Sequence, residues 1–256
     1  MLLVIDVGNT NTVIGVYDGD RLVHDWRVRT ERDTTPDEYN ILLKNLFSVN
    51  GVDMKAIKDT IISCVVPPMV NMLNGFCEKY LYNSPLWVDP RTATYIPILY
   101  DNPAEVGADR IVNAVAAFHK YRTSLILVDF GTAITFDCVS EEGAYLGGAI
   151  FPGIMIASEA LFHKASKLPR VEVFGRPERV IAKDTISSMN AGIIYGYAGM
   201  VDGLVRRIKE EMNSIPKVIA TGGMAELISA VSETIEEVDM FLTLEGLRII
   251  YGYLKE

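Results

Sequence analysis

One pattern occurs twice in this chain and constrains the fold more than any other. An apolar run ends in Asp-x-Gly, small polar residues follow, and a second apolar run resumes. The first copy is Leu2–Val7, then Gly8-Asn9-Thr10-Asn11-Thr12, then Val13-Ile14-Gly15-Val16-Tyr17. The second is Leu125–Phe130, then Gly131-Thr132-Ala133, then Ile134-Thr135-Phe136-Asp137-Cys138. Each copy reads as a strand, a tight polar turn and a second strand. The turn presents a carboxylate and a row of backbone N–H groups, a combination suited to phosphate oxygens and to a hard cation. A plain turn rich in Asx residues accounts for one copy; it does not account for two. Two such turns facing each other across a cleft can hold a nucleoside triphosphate and its metal.

Composition narrows the partners. The 256 residues are 49% hydrophobic and 22% charged, which allows one large domain or two medium ones with an ample core. Net charge is −9 and the Lys and Arg residues are dispersed, so no basic face for nucleic acid is expected. An acidic chain that handles a nucleotide must do so with backbone donors, metal ions and a few placed cations. The three cysteines, Cys64, Cys77 and Cys138, are odd in number and scattered. They argue against a disulfide framework or structural zinc and are expected to be buried, reduced thiols. The chain opens directly into a strand, without the basic and apolar regions of a signal peptide, and no apolar run approaches the roughly 20 residues of a membrane span. The cytoplasm is the expected location.

Periodicity predicts strands at 2–7, 12–17 and 22–29, and a helix opening at Pro36 with Thr35 as its N-cap. Strands at 60–66 and 86–88 follow, separated by a helix through Leu73 and Phe76, and the stretch 91–103 is irregular. Residues 107–121 form an amphipathic helix, after which strand–turn–strand restarts at Leu125. A third strand at 145–151, helices at 154–164 and 185–212, a strand at 217–220 and two closing helices complete the chain. Gly192, Gly196, Gly199 and Gly203 interrupt the long helix at intervals of three or four residues, which implies close packing against another element, intramolecular or in a dimer. The element order is that of an internally duplicated domain. The boundary falls near residue 115, giving halves 1–115 and 116–256 that pack closely with a cleft between them.

Candidate chemistry sits on the turns. Gly8 lets the backbone approach a ligand, Asn9, Thr10, Asn11 and Thr12 offer donors to phosphate, and Asp6 at the strand end can hold Mg²⁺ directly or through water. Asp129 can hold a second cation and Thr132 can donate to a phosphate. In Glu105-Val106-Gly107-Ala108-Asp109-Arg110, a helix start holds Asp109 ionised as a proton acceptor must be, and Arg110 can meet an anionic substrate. An acidic residue at a helix start also has a purely structural explanation in the helix dipole. Thr221-Gly222-Gly223 brings backbone close to a purine or ribose, or is a simple strand-to-helix connection. No P-loop, dinucleotide-binding glycine fingerprint or nucleophile elbow occurs. His24, His119 and His163 lie far apart and read as surface or structural.

Asp-x-Gly-Asn-Thr at the start, Gly-Ala-Asp-Arg in the middle and Asp-Phe-Gly-Thr-Ala after it resemble type III pantothenate kinase, of the superfamily of acetate and sugar kinases, heat-shock cognate proteins and actin. Phe151-Pro152-Gly153, the Thr185 region, Thr221-Gly222-Gly223 and Leu242-Thr243-Leu244-Glu245-Gly246-Leu247 extend the resemblance over nearly the whole chain. It implies an α/β fold of duplicated ribonuclease H-like (actin-like ATPase) domains, with mixed five-stranded sheets, flanking helices and a central cleft. It implies ATP-dependent phosphorylation of pantothenate at its terminal hydroxyl, the first committed step towards coenzyme A. By the same resemblance, Asp6, Val7, Gly8, Asn9, Thr10, Asn11, Thr12, Val13 and Thr132 bind ATP, Asp6 helps place Mg²⁺, and Asp109 accepts the proton. Gly107, Ala108, Asp109 and Arg110 line the pantothenate pocket with Tyr100 on one wall. Asp129 matches the residue that binds a monovalent cation, K⁺ or NH₄⁺. Thr185 matches a pantothenate contact supplied by the partner subunit, which makes the protein a homodimer. Two other readings are a different small-molecule kinase of the superfamily and a nucleotide-binding accessory factor for transcription; the absence of a helix-turn-helix signature weighs against the latter.

Overall fold

The structure, a computed structural model, describes residues 1–89, 95–171 and 175–255. Of the stretch 91–103 expected to be irregular, 91–94 lies outside the described residues. The chain divides into two compact units: Met1–His119 together with the C-terminal helix, and Lys120–Phe241.

The first unit is built on β1 (Leu2–Val7), β2 (Asn11–Asp18), β3 (Arg21–Arg29), β4 (Asp59–Cys64) and β5 (Leu86–Trp87), in the order β3-β2-β1-β4-β5. β1, β2 and β3 are antiparallel neighbours, whereas β4 runs parallel to β1 and β5 parallel to β4. β1 is central and nearly every residue in it is buried, which is why it reads as an unbroken apolar run rather than an alternation. Leu3, Ile5 and Val7 join Leu43 and Phe47 of α1 (Pro36–Val49) and Met69, Leu73 and Phe76 of α2 (Pro67–Phe76) in one core. α1 begins where the sequence indicates: Thr35 accepts from the Glu38 N–H while the Glu38 carboxylate accepts from the Thr35 N–H, a reciprocal capping box.

The opposite face of this sheet carries Val4 and Asp6, and Leu244 of the C-terminal helix packs near Val4 over Gly15. The sequence expectation put this helix in the second half. It packs instead on β1, β2 and β4 of the first unit. Polar ties fix the docking: Tyr17 donates to Glu245 at 3.3 Å, Arg248 pairs with Asp20 at 2.5 Å, and Thr243 donates to Asn113 at 2.8 Å. Asn113 lies on α3 (Ala108–Tyr121). The boundary near residue 115 falls within α3, just short of the break after His119.

The second unit repeats the plan. β6 (Leu125–Phe130), β7 (Ala133–Val139) and β8 (Tyr145–Pro152) are antiparallel neighbours, and β9 (Lys217–Gly222) lies parallel to β6. A two-residue β10 (Glu237–Val238), not foreseen from sequence, pairs parallel to β9, so the order β10-β9-β6-β7-β8 matches that of the first sheet strand for strand. Ile126, Val128, Ile134 and Phe136 pack under α5 (Thr185–Met212), with α4 (Ile154–Lys164) and α6 (Ala225–Ser229) contributing Ile154 and Ile228. α7 is then the C-terminal helix, Leu242–Lys255.

Two sequence expectations need correction. Among the described residues, the glycines of α5 seat no other element of this chain: a methyl group placed on Gly192, Gly196 or Gly199 meets nothing there within 4 Å. Cys77 and Cys138 are buried free thiols, but Cys64, the last residue of β4, is only half-buried.

Candidate active site

The first duplicated turn lies between β1 and β2. The Gly8 N–H donates to the Asn11 carbonyl at 3.1 Å and closes the turn. Thr30, just past the end of β3, braces it from beneath. Its hydroxyl donates to the Gly8 carbonyl at 2.7 Å and its N–H to the Thr10 carbonyl at 3.0 Å. Thr12 is 1% exposed, and its hydroxyl lies 2.9 Å from that of Thr30. Val7 and Thr12 thus point into the fold, and their side chains build the turn, while Asn9 and Thr10 are exposed at the tip with Gly8 and Asn11 partly open beside them. Arg32 donates to the Asn9 side chain at 3.2 Å. Asp6, half-buried at the end of β1, is in register with Val13 on β2 and Ser63 on β4.

The second turn lies between β6 and β7 and is closed in the same manner, by Gly131 N–H donating to the Ala133 carbonyl at 3.1 Å. Two further glycines press against it. Gly153, the N-cap of α4, donates its N–H to the Thr132 carbonyl at 3.1 Å. A methyl group at Gly153 would lie 2.2 Å from the Thr132 oxygen and 2.7 Å from that of Gly131. No side chain caps α4, so the donors of its first turn open beside Thr132. Gly222, at the end of β9, has φ +91°, and a methyl group there would lie 2.5 Å from a carboxylate oxygen of Asp129. Asp129, in register with Thr135 and Thr221, is therefore walled by backbone on its β9 side. Sequence reading noticed Gly153 and Gly222 only as members of motifs; their duty is to let backbone lie against the Asp129 and Thr132 turn.

Asp109 occupies the first turn of α3, half-buried, and its carboxylate accepts from the Arg110 N–H at 2.8 Å. The helix dipole favours the negative charge there. Ala108 and Arg110 are buried, Arg110 to 7% exposure, and Gly107 and Tyr100 are half-buried on the chain leading in. Thr185 is the first residue of α5 and is exposed. Its neighbour Asp184 caps the helix by accepting from the Ser187 N–H at 2.9 Å, and that bond holds the Asp184 carboxyl below the usual carboxylate value. Thr185, Lys183, Ser188 and Met189 line a surface cavity of about 530 Å³. Asp6, Asp109 and the first turn thus belong to the first unit, and Asp129, Thr132 and Thr185 to the second.

One residue escaped sequence reading. Ser63 is fully buried, and among the described residues its hydroxyl has no hydrogen-bond partner. A lone serine in the middle of the apolar run at 60–66 carries no sequence signal. Only the register that sets it beside Asp6 gives it meaning.

Among the described residues no group of three His, Cys, Asp or Glu side chains is arranged to hold a metal by itself. A cation at Asp6 or Asp129 would be completed by carbonyl, hydroxyl, phosphate or water oxygens. Such an all-oxygen set suits hard cations, and the Phe130 carbonyl oxygen, which with an Asp129 carboxylate oxygen crowds the open side of Gly222, is of that kind.

A family model described as type III pantothenate kinase matches residues 2–207. A type III pantothenate kinase of Desulfatibacillum aliphaticivorans is 63% identical over 251 residues, covering 98% of this chain and 98% of the relative. Among solved structures, a conserved putative Baf family transcriptional activator from Campylobacter jejuni has a TM-score of 0.61 at 17% identity, covering 99% of this chain and 98% of that one. A ROK hexokinase from Thermus thermophilus has a TM-score of 0.52 at 17% identity, covering 99% of both chains. At such identities the two likenesses speak for the fold alone, the duplicated kinase-like α/β architecture expected from the sequence.

Proposed function

The chain belongs to the type III pantothenate kinase family, and we propose that it phosphorylates pantothenate with ATP, on the way to coenzyme A, through the three carboxylates Asp6, Asp109 and Asp129. The observation that carries this reading is the family match over residues 2–207, which spans all three carboxylates and both duplicated turns. In this reading Asp109 accepts the proton of the terminal hydroxyl of pantothenate as its oxygen attacks the γ-phosphorus of ATP. The bond from that phosphorus to the β–γ bridging oxygen breaks, and ADP leaves with the electron pair. Phosphoryl transfer asks the protein chiefly for positioning and charge stabilisation. Backbone N–H groups of the Gly8–Asn11 tip and Thr132 position the phosphates. Asp6 holds the magnesium that travels with ATP, which supplies neutralisation of the phosphate charge. Asp129, beside the Phe130 carbonyl, suits K⁺ or NH₄⁺. Gly107, Ala108, Arg110 and Tyr100 form the pantothenate pocket, with Arg110 as partner to the substrate carboxylate.

The enzyme works, in this reading, as a homodimer. The glycine face of α5 supports this: Gly192 and Gly196, with Met189, Ile193, Met200, Leu161 and Phe151, line an open apolar cavity of about 380 Å³. Leu161 and Phe151 are 41% and 39% exposed, and Met155 and Ile156 beside them on α4 are exposed as well. Contiguous apolar surface flanking a smooth helix face suits a second copy in a symmetric pairing. Thr185 opens the same helix, so pairing along α5 would carry it towards the partner's site. Gly196→Leu is expected to turn the dimer into a monomer in light scattering and to raise the KM for pantothenate at least tenfold; a dimer of unchanged mass would remove α5 from the interface. We propose the cytoplasm as its location; no described helix is long and apolar enough to cross a membrane.

The test is ADP release with pantothenate, sugars and short hydroxy acids, with and without K⁺ or NH₄⁺. Pantothenate should be preferred by a wide margin, and the monovalent cation should raise its rate. A sugar that outpaces pantothenate would shift the reading to another kinase of the superfamily. No release with any acceptor would leave the nucleotide a regulatory role.

A further inference from the structure

Ser63 presents a cost with no visible return in the ligand-free chain. It is 0% exposed, and its hydroxyl bonds to nothing among the described residues. A buried hydroxyl left unpaired is destabilising, and alanine fills the same space without that cost. Its surroundings narrow the reason. On the parallel β1–β4 pair, Ser63 stands directly beside Asp6. Paired residues on neighbouring strands project from the same face of a sheet. That is the face of Val4 and Leu244, apolar and helix-covered, until it reaches Asp6 at the strand end.

We infer that Ser63 is a positioning residue for the nucleotide site: with the magnesium–nucleotide bound, its hydroxyl donates a hydrogen bond to the Asp6 carboxylate and fixes the rotamer in which Asp6 faces the metal. This rests on the assignment of Asp6 to the metal and deepens it. A carboxylate that carries a metal is held by outer partners, and their loss weakens affinity even though they never touch the ion. The hydroxyl stays unpaired in the ligand-free chain because the bond it serves belongs to the loaded state. Stability is given up locally for a site that acts only when filled.

The experiment compares wild type, Ser63→Ala, Asp6→Asn and the double variant by calorimetric titration with magnesium and a β,γ-imido analogue of ATP, together with ligand-free thermal melts. Ser63→Ala is expected to bind the analogue about tenfold more weakly, the loss of one charge-assisted hydrogen bond, with a ligand-free melting temperature equal to or above that of wild type. In the Asp6→Asn background it should cost nothing further, since the two residues act as one unit. Wild-type affinity in Ser63→Ala with a weakened Asp6→Asn would overturn the inference and leave Asp6 on the metal. Additive losses, or a lowered ligand-free melting temperature in Ser63→Ala, would overturn it as well by making Ser63 a packing residue. Unchanged affinity in Asp6→Asn would instead sink the assignment of Asp6 on which the inference stands.

Discussion

Asp109→Asn is expected to lower kcat with pantothenate by about a hundred- to ten-thousandfold, the usual contribution of a positioned general base, while the fold and the affinity for ATP stay within twofold or so of wild type. The contrast comes from what asparagine keeps and what it loses. One Asp109 oxygen accepts from the Arg110 N–H at 2.8 Å, and an asparagine amide oxygen can do the same. The first turn of α3 therefore retains its side-chain acceptor, and Gly107, Ala108 and Arg110 keep their places. On the proposed mechanism, what is lost is the basic lone pair that takes the substrate proton. In the proposed site ATP meets other groups, on the Gly8–Asn11 tip and around Thr132, so its binding should survive. The measurements are steady-state turnover, a thermal melt and titration with the non-hydrolysable analogue. Turnover within fivefold of wild type would remove Asp109 from proton transfer, whatever the other residues do.

Such a variant can be chosen from sequence because the features that carry it are local. The runs Leu2–Val7 and Leu125–Phe130 are apolar because each is the central strand of its sheet. Local chemistry also sets the helix ends, through the Thr35 and Glu38 capping box and the Pro152-Gly153 break before α4. What the sequence hid depends on distant chain. β10 is two residues long and is defined by pairing with β9, not by any pattern of its own. α7 follows the second unit in sequence, yet it docks on the first through Leu244, Tyr17 and Asp20. The glycine spacing of α5 signals a smooth face but not whose surface meets it. In the Asp6–Val13 stretch the polar residues look alike, and the structure separates Thr12, turned inward to Thr30, from Asn9 and Thr10 at the tip. Ser63 acquires a role only through the register of two strands that lie far apart in the chain.

Gly222→Ala should be a strongly damaging small substitution in the second unit. Gly222 sits at φ +91°, where an L side chain is strained by about 1–3 kcal/mol. The added methyl also has nowhere to go. It would lie 2.5 Å from the Asp129 carboxylate and 2.7 Å from both the nitrogen and the oxygen of Phe130, and backbone cannot swing aside as a long side chain does. Forcing atoms into a packed site costs about a further 1–3 kcal/mol. The sum is a large part of an ordinary domain's stability of about 5–15 kcal/mol, so the melting temperature should fall by roughly 5–20 °C. Gly252→Ala serves as the contrast: a methyl there, within α7, meets nothing within 4 Å among the described residues, and helix propensity alone should stabilise by up to about 1 kcal/mol. The strain also has a chemical consequence that stability does not measure. Either β9 withdraws from β6, or the Asp129 carboxylate is driven from its place beside the Phe130 carbonyl. Both outcomes would disturb the carboxylate proposed to hold the monovalent cation. At a temperature where Gly222→Ala is still folded, K⁺ should therefore no longer raise the rate, whereas Gly252→Ala should keep the full response. A Gly222→Ala enzyme that melts early but responds to K⁺ as wild type does would place the cation elsewhere and leave Gly222 a purely structural residue.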